Sequence, residues 1–142
     1  QMQRERYASR LSAVEEKIKR EPDNKMLKIQ LGMVHVEGGK PALGRDIFQS
    51  LAQDENIEIQ AASMNNLGNL AYLNDDFNAA MRYYTEASIL SPDDGGIIIN
   101  RARAAWKLGK RADAKTYLIE ASALLSDWRA YVFDFPADLL PK

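Results

Sequence analysis

No cysteine occurs among the 142 residues, so the chain has no disulfide framework, no thiolate nucleophile and no cysteine metal site. One histidine, His35, supports no metal cluster. No window approaches the ~20 consecutive apolar residues that a membrane span needs. Charge of one sign is equally scarce: a net −1 and a pI near 5.9 give no global attraction to nucleic acid or anionic membrane. No glycine-rich phosphate loop follows a strand, and Gly38-Gly39 and Gly95-Gly96 read as helix punctuation. Adjacent carboxylates lack a pocket that would raise a pKa, since Glu15 and Glu16 diverge on a helix and Asp75-Asp76 sit in a turn. The expectation is a chain without catalysis, cofactor or metal. Its start, Gln1-Met2-Gln3, shows neither an initiator methionine nor an apolar signal segment, which predicts an excised fragment or a mature product. No compartment is assigned.

What is present is a core and a repeat. An apolar content of 46% over 142 residues suits one domain of ordinary size. Residues 61–94 set the pattern: Met64, Leu67, Gly68 and Ala71 fall on one side of a helix, and Ala80, Tyr84 and Ala87 do the same in the next. Gly68 and Ala80 let two helix backbones approach, while Leu67 and Tyr84 fill the remaining space. The polar tract from Leu73 to Phe77 ends the first stripe and Pro92 ends the second. The unit is a helical hairpin.

The stretches NNLGNLAY and AAMRYYTEA, with Phe77 and Pro92, resemble the tetratricopeptide repeat, with Met64 where that family carries a leading tryptophan. The resemblance implies an all-α fold, a right-handed superhelix of three hairpins with an N-terminal helix and a C-terminal capping segment. Residues 1–22 form the N-terminal helix, with Tyr7, Leu11, Val14 and Ile18 as its stripe. They resemble the second helix of a repeat, but Arg10 and Lys17 replace its small residues, and residues 1–20 carry +3. Residues 25–60 form the first repeat, aligning Leu31-Gly32, Gly44, Phe48 and Leu51 with the reference at an offset of 36 rather than 34. The two extra residues fall in the polar connection at 53–57, where added length costs little. Gly44 stands where alanine is usual and should loosen its helix by about 0.5–1 kcal/mol. The second repeat is 61–94. The third, 95–126, keeps Ile98, Ala102, Ala105, Ala114, Leu118 and Ala121 in register, with Arg101 laying its stem on the core and raising its head to water. The tail at 127–142, rich in aromatics and prolines, is a cap on the open face of the last hairpin, formed by a short helix and then extended chain; the alternative is a homodimer contact through it.

First helices line the concave side in this family, so the resemblance also marks a groove. Its first repeat offers Met26, Ile29, Gln30, Met33 and Val36, its second Asn65, Asn66, Asn69, Tyr72 and Leu73, and its third Ile99, Asn100, Arg103, Trp106 and Lys107. The residues expected to touch a partner are Asn65, Asn66, Asn69, Tyr72, Asn100, Arg103, Trp106 and Lys107. Asparagine amides donate to and accept from a peptide backbone, Arg103 and Lys107 attract an acidic side chain or a terminal carboxylate, and Trp106 is a flat apolar anchor. The competing reading fills this groove with the protein's own tail. A two-carboxylate clamp of the kind some members use on chaperone C-termini is not expected, because its first-repeat positions are Ile29 and Met33 and only Asn66 fits. Residues 51–100 carry −7 and residues 101–120 carry +4, a polarity that can orient a partner or simply keep the chain in solution. The functional expectation is a noncatalytic scaffold holding a segment of another protein, without nucleic acid or membrane insertion. The alternative is a regulatory or docking domain of a larger enzyme, or of an envelope or secretion assembly protein.

Overall fold

The computed structural model describes residues 2–142, and of Met2 the backbone alone. Among them are seven α-helices: α1 (Met2–Arg20), α2 (Lys25–Glu37), α3 (Pro41–Leu51), α4 (Ile57–Leu73), α5 (Phe77–Leu90), α6 (Gly95–Lys107) and α7 (Arg111–Leu124). The chain divides into two compact units, residues 1–67 and 68–142, with the boundary inside α4.

In the first unit α2 packs against both α1 and α3. Asn24 begins α2 by accepting a hydrogen bond from the Met26 amide, one of the donors a helix start leaves unsatisfied. A Cβ on Gly32 would lie 2.5 Å from the Phe48 ring, and one on Gly44 would lie 2.7 Å from the Gly32 carbonyl. Gly44 is therefore required by the close approach of α2 and α3, which corrects the expectation that it merely loosens α3. The connection after α3 holds the inserted residues in a small polar knot: Asp54 pairs with Lys25, and Asn56 accepts from the Glu58 and Ile59 amides to start α4.

The second unit repeats the scheme. A Cβ on Gly68 would lie 2.5 Å from the Tyr84 ring, so glycine on α4 admits a large ring from α5, as Gly32 admits Phe48. Ala102 and Leu118 occupy the matching places on α6 and α7 and are both buried. The hairpin turns share one backbone solution: Gly39, Asp75 and Gly109 all have positive φ, at 81°, 59° and 78°. Lys40, Asp76 and Lys110 then return their amides to the carbonyls of His35, Ala71 and Ala105 at 2.8–2.9 Å, closing each helix with the same six-residue ring. Three hairpin turns at spacings of 36 and 34 residues thus repeat in backbone as well as in side chain.

The tail after α7 makes two short 3₁₀ turns, Trp128–Tyr131 and Ala137–Leu139, rather than one helix followed only by extended chain. Trp128, Val132, Phe135 and Leu139 bury themselves against Ile98, Ile99, Ala102, Leu118 and Ala121. The tail covers the face of the α6–α7 hairpin where these residues are buried.

Candidate partner-binding surface

The sequence-predicted residues of the second unit lie on α4 and α6. Asp94 caps α6 by accepting from the Ile97 amide at 3.2 Å, and the helix then carries Asn100, Arg103 and Lys107 three and four residues apart, on one face. Arg103 is the centre of this face. Its Nε donates to one oxygen of Asp134 at 2.7 Å and its Nη2 to the other at 3.0 Å. Nη2 also donates to the Tyr131 carbonyl at 2.9 Å, and Nη1 to Asn100 Oδ1 at 3.0 Å. These donors hold the Asp134 carboxyl below the usual carboxylate range, against the opposing effect of partial burial. Phe135 lies 5.4 Å from Trp106, centroid to centroid, and the Arg103 guanidinium stands 5.2 Å above the Phe135 ring. Lys107 is exposed, with its ammonium 4.9 Å from the Trp106 centroid.

On α4, Asn69 accepts a hydrogen bond from the buried Tyr84 hydroxyl at 2.6 Å, so its amide is partly committed to the hairpin. Burial raises the Tyr84 pKa above the ordinary tyrosine range, and more weakly that of Tyr72, whose ring meets Phe77 edge-on at 5.2 Å. Asn66 donates to the Ala62 carbonyl of its own helix at 2.8 Å, while Asn65 is half-buried.

Two expected groove residues are not on open surface. Ile29 is 3% exposed and belongs to the core of the first unit, and Ile99, at 2%, lies beneath the tail. Both were placed in the groove because helical spacing gives direction but not what covers a position. Sequence reasoning also missed Asp134, Phe135 and the Tyr131 carbonyl as the groups that meet Arg103. The signal was the aspartate set between aromatics in Tyr131-Val132-Phe133-Asp134-Phe135, which aromatic count alone obscures. His35 is a packed side chain: its Nδ1 is hydrogen-bonded to the Tyr7 hydroxyl at 2.9 Å. Arg101, expected to raise its head to water, instead lays its guanidinium over Tyr117, 4.3 Å from the ring centroid, with its Nε buried.

Chemically, the α6 face holds a carboxylate by two-point contact, a backbone carbonyl beside it, and an aromatic ring on Trp106. No helix among the described residues is long and apolar enough to cross a membrane. No group of three or more potential metal ligands occurs among them.

No protein-family model matches the chain. A curated mouse protein, DnaJ homolog subfamily C member 7, which contains tetratricopeptide repeats, is 34% identical over 64 residues. That similarity covers 45% of this chain, and the chain spans only 13% of the mouse protein's length.

Proposed function

We propose that the chain is a noncatalytic interaction module of the tetratricopeptide repeat kind, with that family's right-handed stacking of hairpins, and that it holds a segment of another protein. The repeated glycine–ring contacts, the shared turn geometry and the similarity to a repeat-containing mouse protein support the family reading. One observation bears on the binding reading: the chain's own tail occupies Arg103 and Trp106 with a carboxylate and a phenylalanine, as the competing reading has it, while Lys107 stays exposed on the same face. A surface that recognises acidic and aromatic groups in its own tail has the chemistry to recognise them in a partner. Asn69, Tyr72, Asn100 and Lys107 border that chemistry on α4 and α6, and Asn65 and Asn66 precede them on α4.

The test is site-specific photocrosslinking in extract of the source cell. Benzoylphenylalanine at position 107, on the α6 face, should capture a discrete protein that the same probe at exposed position 119 of α7 does not. Identical capture at both positions, or none at 107, removes the binding reading.

A further inference from the structure

In the first unit, where α1 lies against α2, two depressions of about 310 and 260 Å³ adjoin and share Arg10 and Val34. Val14 and Val34 make an apolar floor, and Met33, 41% exposed, stands beside them. The walls are fixed in place. Tyr7 packs on Gly38 and hydrogen-bonds His35, and Arg10 pairs with Glu37, so α1 is tied to the C-terminal half of α2 by apolar, polar and ionic contacts together. Arg10 is charge-balanced by that pairing. Two further cations remain on the rim, Arg6 in the first depression and Lys17 in the second, both exposed.

We propose that this cleft binds an extended acidic segment of a partner protein, with one carboxylate at Arg6, one at Lys17, and an apolar side chain between them on Val14, Met33 and Val34. Charge complementarity selects the occupant, since the lining residues hold three cations against the one anion, Glu37, and residues 1–20 carry +3. Geometry sets its spacing. Arg6 and Lys17 are eleven residues apart on a helix that rises ~1.5 Å per residue, which is ~16 Å. An extended chain spans that distance in about five residues. Side chains alternate faces along an extended chain, so two acids that meet one surface lie an even number of positions apart. A spacing of four, ~13 Å, puts both acids and the apolar residue midway between them on one face, with the long Arg6 and Lys17 side chains closing the difference. The proposal rests on the reading of this chain as a partner-binding module, but it uses a surface in the first unit and not the α6 face.

The experiment is fluorescence anisotropy with the fluorescein-labelled peptide Gly-Asp-Ser-Leu-Ser-Asp-Gly, its lysine counterpart, and a third with the two aspartates adjacent. The spaced acidic peptide should bind saturably, the lysine peptide should not, and the adjacent-acid peptide should bind several-fold more weakly. The double variant Arg6→Gln/Lys17→Gln, with both sites exposed and the helix retained by circular dichroism, should weaken binding roughly tenfold, as two exposed ion pairs of ordinary strength supply. Raising salt should weaken it further. Equal binding of the lysine peptide, no dependence on acid spacing, or an unaffected double variant overturns the proposal. Loss of binding in Lys107→Glu alone also overturns it, by moving the contact to α6 while leaving the partner-binding reading intact. A concentration-dependent increase in mass that blocks the peptide overturns it in favour of a second copy of this chain.

Discussion

Arg103 of α6 holds both carboxylate oxygens of Asp134, at 2.7 and 3.0 Å, and the same guanidinium reaches the carbonyl of Tyr131, the residue before the buried Val132. One side chain thus fixes the tail at a charge and at a backbone group three residues apart. Asp134→Asn keeps the shape and removes the charge. With the carboxylate about a third exposed, screening limits the expected loss to about 0.5–1 kcal/mol at pH 7, read from urea midpoints. The folded-state pKa is lowered, so this stabilisation is present above the ordinary carboxylate value and is lost as pH falls through the folded one. The difference between the two proteins should shrink below about pH 4. A difference that persists unchanged at pH 2.5 would assign the effect to shape alone.

Tyr84 is 2% exposed and donates to Asn69, so Tyr84→Phe leaves the acceptor without its partner. The expected cost is about 1 kcal/mol in denaturant unfolding. Because burial raises the folded-state pKa, the hydroxyl's contribution is complete below the ordinary tyrosine value near 10 and declines as pH rises beyond it. The wild type should therefore lose stability above about pH 10 more steeply than the phenylalanine variant.

The tail's phenylalanines separate by role. Phe135 is buried on Trp106 and the α6–α7 core, whereas Phe133 is 88% exposed. Phe135→Ala should cost about 3 kcal/mol and Phe133→Ala less than about 0.5 kcal/mol, measured as melting-temperature shifts. Equal shifts would contradict the packing of the cap.

Gly68→Ala tests the glycine–ring contact. Alanine improves helix propensity by about 1 kcal/mol, but its Cβ would lie 2.5 Å from the Tyr84 ring, and overpacking of this kind costs about 1–3 kcal/mol. Net destabilisation is expected, and adding Tyr84→Leu should restore part of it in a double-mutant cycle. A stabilised single variant would show that the ring has room to move.

The helices and their pairing were legible because the same residue types recur where the same contacts recur: Gly32 with Phe48, Gly68 with Tyr84, Ala102 with Leu118. The cap was legible as apolar surplus. Its detailed seat was not, because Arg103 and Asp134 are 31 residues apart and outside any repeat, so no periodicity relates them. Ile29 and Ile99 show the converse limit. Spacing places them on the first helix of a repeat, but neighbouring elements decide whether that position meets water. Gly44 was legible as a departure from pattern and misread as a weakness, since only the distance between α2 and α3 reveals that a methyl group has nowhere to go.

The three left-handed turn residues make the connectors close to interchangeable parts. Gly39 and Gly109 adopt that geometry freely but precede lysines that provide no side-chain cap for the next helix. The middle connector reverses the arrangement: Asp75 takes the less comfortable dihedral, and Asp76 accepts from the Ala79 amide to start α5. Backbone ease and helix initiation are traded between two adjacent positions, so the turn of one hairpin can stand in for another's without changing how that hairpin's own two helices meet.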